Sequence, residues 1–421
     1  MGKFNINKKC FKNSFLNSSG AEMSKEMIKE KINQAINILK EKDVDMWLIF
    51  TRESSTIKDP SMNMVVGTNC TWQSAFLLNK NGDTVAILGS LDVPNMKMQG
   101  TYNTVIGYMK SIKETLLASL NKYKPNKIAI NFSRDSNLAD GLTHGMYLEL
   151  LDHLKDTDYS NKLISSEEII SALRGRKSPA ELNIMKDAIK ETLIIFDETT
   201  KFIKTGRTEQ EIADFIINLV KQKGYGLAWE QDYCPSVFTG PDTAGAHAGP
   251  TNRKVEPGHV LNIDFGISLN GYCSDLQRTW YILKNGEDKA PEEVLRGFNV
   301  IKDAIKLSAK ELKPGKQGCD IDDMARNYII QNGYEEYPHA LGHQIGRVAH
   351  DGGGLLAPRW ERYGTLPFKA IEEGQVYTLE PRLPIKDHGI ATIEEEVVVT
   401  KEGCEFLSSP QEEIFLIKPN Q

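Results

Sequence analysis

Two aspartates on one face of a short hairpin constrain this chain more than any other feature of its sequence. The stretch VLNIDFGISLNGYCSDLQRTWYI, residues 260–282, reads as two β-type runs joined by the turn residues Ser268, Leu269, Asn270 and Gly271. A turn centred on Leu269 and Asn270 sets Asp264 directly against Asp275, whereas one centred on Asn270 and Gly271 makes them diagonal neighbours. In either register the side chains share a face. Like charges across a ladder destabilise it, and two partly buried carboxylates cannot both stay ionised unless a cation joins them. The pattern asks for a metal.

The same device recurs in VYTLEPRLPIKDHGIATIEEEVVV, where Glu380 and Glu394 lie symmetrically about Asp387. A turn with an odd number of residues there brings both onto one face. Four carboxylates converging with a histidine form the donor set of a pair of divalent ions such as Mn, Co, Fe or Zn, with four negative charges balancing two dications. Three of the eight histidines, His339, His343 and His350, crowd into HALGHQIGRVAHD. Gly342 and Gly346 argue against a helical metal pair there, and Ala340 stands where a zincin motif needs Glu.

The length, 421 residues, exceeds what one core usually supports and favours two domains. With 40% hydrophobic residues, 26% charged residues and a formal charge of -6, the chain lacks the basic excess of a nucleic-acid binder. No apolar run approaches the roughly 20 residues needed to span a bilayer, so no membrane association is expected. The six cysteines are scattered without a CxxC pair, which suits free thiols in a reducing, cytoplasmic setting. Residues 1–22 are basic, lack an apolar signal-peptide core and carry Ile6 where myristoylation needs Ser or Thr; they read as a flexible leader.

Residues 23–165 alternate helix and strand signals, an α/β layer. A helix-period run, KEMIKEKINQAINILKEK, precedes the strand MWLIF; two apolar runs flank Asn81-Gly82 as a hairpin; KIAINF lies between the helical stretches SIKETLLASLNKY and LADGLTHGMYLELLDHL. Further on, Ser178, Pro179 and Glu181 form an N-cap, Pro-N1 and capping-box start for a long amphipathic helix. The domain boundary is placed just ahead of that segment, giving a second domain over 173–421.

On these motifs, in this order and spacing, the chain resembles the prolidase, aminopeptidase P and methionine aminopeptidase superfamily of M24-type metallopeptidases, closest to its two-domain Xaa-Pro peptidases. The resemblance implies an α+β fold, with a C-terminal pita-bread domain behind a smaller creatinase-type α/β domain. It makes Asp264, Asp275, His343, Glu380 and Glu394 the metal ligands, with Asp275 and Glu394 bridging both ions, Asp264 holding one, and His343 with Glu380 holding the other. His247 and His350 map onto catalytic histidines, Glu380 onto an acid/base, and His339 onto the pocket wall. The activity implied is removal of the N-terminal residue from short, Xaa-Pro-type peptides by a hydroxide shared between two metal ions, in a homodimer.

The chain departs from that pattern in three places. Thr392 stands where these peptidases usually carry the Arg of R-x-E, Arg382 where Gly usually follows the E-P pair, and Ala340 where Gly usually follows the first histidine. Arg382 is therefore a candidate to supply the missing positive charge to the substrate. Two alternatives stand beside the peptidase reading: a non-peptidase metal-dependent hydrolase or lyase on the same fold, and a catalytically silent binding module.

Overall fold

The computed structural model describes residues 23–243 and 249–419. The leader expected over 1–22, Cys10 and His247 lie outside the described residues.

Strands Met46–Thr51, Ser74–Asn79 and Thr84–Gly89 read as continuous apolar runs because both faces of their sheet are covered. Six strands line up in the order Thr104–Tyr108, Thr84–Gly89, Ser74–Asn79, Met46–Thr51, Ile128–Ile130, Leu163–Ser165. Trp47, Ile49, Phe76 and Leu78 pack beneath Ile28, Ile32, Ala35 and Leu39 of helix Lys25–Glu41. Met46, Leu48, Leu77 and Ile87 point the other way, onto Leu116 and Leu120 of helix Lys113–Tyr123 and Leu150 of helix His144–Leu154. The Asn81-Gly82 hairpin forms as expected, with Gly82 at φ 104°.

One expected helix is interrupted. The stretch LADGLTHGMYLELLDHL gives only a short 3-10 turn, Asn137–Ala139, before the helix proper starts at His144 with the Thr143 hydroxyl as N-cap. Gly141 lies between the two, and a Cβ there would sit 2.1 Å from a carboxylate oxygen of Asp59, itself buried and bonded to Ser61 and Asn131.

Beyond the helix Glu167–Gly175, Ser178 and Glu181 form the expected capping box, and helix Pro179–Phe202 runs for 24 residues. Two helix pairs now flank two hairpins. Leu261, Ile263, Phe265, Leu276 and Trp280 of the first hairpin pack on helices Pro179–Phe202 and Glu209–Lys223. Tyr377, Leu379, Leu383, Ala391 and Val397 of the second pack on helices Glu292–Glu311 and Gly318–Gln331. Strand alternation then leaves the polar faces of both hairpins turned toward each other. No helix among the described residues is long and apolar enough to cross a membrane.

A buried polar junction fastens helix Lys25–Glu41 to the later part of the chain. Lys31 pairs with Glu181 at 3.0 Å and donates to the Leu173 carbonyl at 2.6 Å, while the Tyr272 hydroxyl donates to the other oxygen of Glu181 at 2.8 Å. Arg174 pairs with the fully buried Asp351 alongside.

Candidate metal centre

In the first hairpin Leu269 faces Tyr272 and Asp264 faces Gln277, so the turn centres on Asn270 and Gly271 and the two aspartates are diagonal neighbours. Both turn residues have positive φ, 50° and 79°, as a type I′ turn requires. The ladder breaks at Gly266, where a Cβ would meet the Ser274 carbonyl oxygen at 1.8 Å. Past that break the backbone N–H of Asp275 donates instead to Glu396 Oε1 at 2.9 Å.

In the second hairpin the turn between Ile385 and Gly389 has three residues, the odd number the symmetry demanded, with Asp387 at φ 62°. The pairs Arg382 with Thr392 and Leu379 with Glu395 bracket Glu380 and Glu394, which therefore stand opposite each other. Each leaves the ladder at that point: the Glu380 N–H donates to the Leu341 carbonyl at 2.7 Å and the Glu394 N–H to the Gln277 carbonyl at 3.2 Å. The second bond joins the two hairpins.

His343 enters from the two-residue strand Gly342–His343. Gly342 is required, because a Cβ there would lie 1.9 Å from the Thr378 carbonyl oxygen. The His343 N–H donates to the Thr378 hydroxyl at 3.1 Å and Nδ1 bonds the Gln344 carbonyl at 3.2 Å, which aims Nε2 at the acids. Nε2 lies 3.3 Å from Glu380 and 3.8 Å from Asp275. Asp275, His343 and Glu394, all buried, each offer a ligand atom within 4.8 Å of the others.

The electrostatics fit a cation. Burial, reinforced by repulsion from Asp264, Glu380 and Glu396 on Asp275 and from Asp275, Glu380 and Asp264 on Glu394, holds both far above the usual carboxylate range. Burial likewise pushes Asp264 up to about 7, and burial plus the charge of Asp264 pushes Glu380 up to about 8. Asp264 Oδ1 and both carboxylate oxygens of Glu394 are buried without a hydrogen-bond partner among the described residues. Buried acceptors in that number call for a ligand, and hard oxygen donors with one imidazole suit divalent metal ions.

The remaining candidates take different places. His350 is exposed, and its ring stands edge-on to that of His343 with centroids 4.4 Å apart. His339 is half-buried, bonds the Ala340 carbonyl through Nδ1 at 2.7 Å and packs against Tyr337. Arg382 lies on the same strand face as Glu380.

Sequence reading missed two contributors. Glu396 shares the Glu394 face, supports the Asp275 backbone, and is pushed up to about 8 by burial; its period-2 spacing from Glu394 was the available signal. Gln277 accepts from the Thr392 hydroxyl at 2.7 Å and donates to Glu380 at 3.4 Å. Nothing local announces that link across 115 residues.

Among known proteins, the chain is 27% identical over 338 residues to an uncharacterized peptidase of Staphylococcus aureus, spanning 79% of this chain and 87% of that protein. Its structure is similar to an X-Pro aminopeptidase from Thermotoga maritima, with a TM-score of 0.67, 26% identity, and coverage of 92% of this chain and 99% of that one. An Xaa-Pro dipeptidase from Bacillus anthracis shares the fold at a TM-score of 0.69 and 24% identity, over 93% of this chain and all of that one (100%). The architecture is thus the expected α+β one, with a pita-bread domain preceded by a smaller α/β unit. The sequence profile of metallopeptidase family M24 matches residues 183–401, which takes in both hairpins and the histidine segment; the chain belongs to that family.

Proposed function

We propose that this protein is a dinuclear metal-dependent aminopeptidase or dipeptidase that removes the N-terminal residue from short peptides, with Xaa-Pro peptides as its first substrates. One observation carries the reading: the buried Asp275, Glu394 and His343 and the half-buried Asp264 and Glu380 converge, with unpartnered oxygens on Asp264 and Glu394. Asp264, Asp275, His343, Glu380 and Glu394 would hold two divalent ions, Mn, Co, Zn or Fe. Such ions supply Lewis acidity toward a peptide carbonyl and make water acidic enough to attack it near neutral pH.

The chain's own groups do the rest. Glu380, with a Gln277 amide at 3.4 Å, is proposed to take the proton from the attacking water and return it to the leaving amine. His350, beside the His343 ring, is placed to donate to the carbonyl oxygen as negative charge develops, a role in which a positioned donor contributes a few kcal/mol. His247 is proposed for the same task, and His339 for the pocket wall. Residues 23–165 form the smaller domain and 173–421 the catalytic one in this reading, which also takes the protein as a cytoplasmic homodimer.

The test is release of free amino acid from an Xaa-Pro dipeptide and a matching tripeptide, with Mn, Co and Zn added separately to metal-stripped protein. Metal-dependent release from either peptide is expected. No release with any metal would overturn the proposal and favour a non-peptidase reaction, for which the replacement of Arg by Thr392 is the motivating departure.

A further inference from the structure

His343 and His350 stand seven residues apart in sequence, yet their rings meet edge-on with centroids 4.4 Å apart. The chain between them doubles back. Residues 344–351 close on themselves: the Asp351 N–H donates to the Gln344 carbonyl at 2.7 Å, and the Asp351 carboxylate turns inward to accept the Arg347 N–H at 2.7 Å. The loop is also tied to the aspartate hairpin, through the Cys273 N–H and the Gly346 carbonyl at 2.7 Å.

The same carboxylate is anchored from the other side. Its second oxygen accepts from Nε of Arg174, in the helix Glu167–Gly175, and Lys177 places a second positive charge nearby. Both cations are themselves held in place. Arg174 donates through Nη1 to the Pro60 carbonyl at 3.3 Å and lies 3.6 Å from the Met64 sulfur, while Lys177 donates to the carbonyls of Arg174 and Gly175. Burial favours the protonated form of Asp351, but Arg174, Lys177 and the Arg347 N–H outweigh it and hold the carboxyl below its usual range. Asp351 is therefore a buried anion with one oxygen committed to the loop and the other to Arg174.

The neighbouring residue has the opposite character. His350 is exposed, and its Cα is only about 3.8 Å from that of the fixed Asp351, so the reach of its ring follows from where Asp351 is anchored. Resting on the peptidase reading above, we propose that Asp351 is a positioning residue: by closing segment 344–351 against Arg174 and Lys177, it sets how far the His350 imidazole stands from His343 and from the substrate carbonyl. Asp351 touches no reacting atom in this assignment and acts through His350. A displacement of about 1 Å in such a group costs about a hundredfold in rate.

The test is a double-mutant cycle of Asp351→Asn, His350→Ala and the two together, assayed with Ala-Pro on Mn-loaded protein, with bound metal and Tm measured for each. Asp351→Asn keeps the side-chain size and removes the charge; it should lower kcat by about 10- to 100-fold and leave KM within about twofold. Metal content should stay, because the contacts of Asp351 run to Arg174, Lys177 and Arg347. In the His350→Ala background the same change should cost less than about threefold, since its target is gone. Asp351→Glu, which restores the anion at a longer reach, should recover part of kcat. An equal loss of kcat with and without His350, or near-native kcat in Asp351→Asn, overturns the assignment.

A second readout needs neither metal nor turnover. In metal-stripped protein with labelled histidines, wild type should give a nuclear Overhauser cross-peak between the His343 and His350 rings, and Asp351→Asn should lose or weaken it. An unchanged cross-peak in the variant, or none in wild type, overturns the assignment. If no peptide is cleaved but the cross-peak responds as expected, the peptidase reading fails and the positioning role stands. Should Asp351→Asn fail to fold, Arg174→Lys, which keeps the charge and removes the Nε donor, takes its place in both measurements and is judged by the same outcomes.

Discussion

Removing metal should make the stability of this protein depend on pH in an unusual direction. Asp264 and Glu380 hold their protons in the folded chain up to about 7 and about 8, against ordinary values of 3.8 and 4.5. Between those limits the folded state binds more protons than the unfolded state, so stability falls as pH rises, the reverse of ordinary acid denaturation. A rise of about three pH units corresponds to about 4 kcal/mol for one group. Glu380 keeps 19% of its side chain exposed and the acids titrate together, so about 5 kcal/mol for the pair is a reasonable upper figure. At roughly 2 °C per kcal/mol for a unit of this size, metal-stripped protein should lose about 10 °C in Tm between pH 5 and pH 8. Added Mn should restore the loss at pH 8 and do little at pH 5, where the ligands are protonated. Scanning calorimetry on chelator-treated protein measures both. A Tm that is flat or rises over this interval without metal would refute the view that burial and neighbouring charge keep these acids protonated when no cation is bound.

Asp275→Asn should lose at least one metal ion, since an amide brings no charge to bridge two dications; elemental analysis finding two ions at full affinity would remove Asp275 from that role. His343→Ala should weaken metal binding, with activity partly recovered in excess metal. His350→Ala should keep its metal and lower kcat by about a hundredfold to ten-thousandfold without rescue, and near-native kcat would show that it has no catalytic part. If Thr392 and Arg382 relax the demand for proline, dipeptides without proline at the second position should also be cleaved; strict confinement to Xaa-Pro would count against that inference.

Much of the centre could be read before any coordinates because strand geometry is so regular. A period of two and an odd turn about Asp387 are enough to set Glu380 opposite Glu394, and the structure keeps that register through the breaks at Glu380 and Pro381 on one strand and Ile393 and Glu394 on the other. The first hairpin left two registers open because Ser268–Gly271 offers two turn centres; the positive φ values at Asn270 and Gly271 select one. What local pattern could not convey was contact between distant segments. Asp59 lies against Gly141 from a distant segment, and Gln277 becomes part of the site only because Thr392 and Glu380 arrive from another hairpin. Glu396 was within reach, since every second residue of a strand shares a face, but a run of three glutamates reads as solvated until burial is known.

The junction at Glu181 bears on how the protein could be handled. Glu181 is buried, and its two oxygens are shared among Lys31 from the first helix, the Ser178 N–H and the Tyr272 hydroxyl. Tyr272 belongs to the hairpin that carries Asp264 and Asp275, three residues before the second of them. A chain trimmed to start at residue 173 would take away Lys31, the cationic partner of Glu181, and would strip helix Lys25–Glu41 from the core it shares with Leu173, Met185, Tyr272 and Val376. The amino-terminal unit therefore works as a wedge holding the aspartate hairpin in place, and the two halves of this chain are better expressed as one piece.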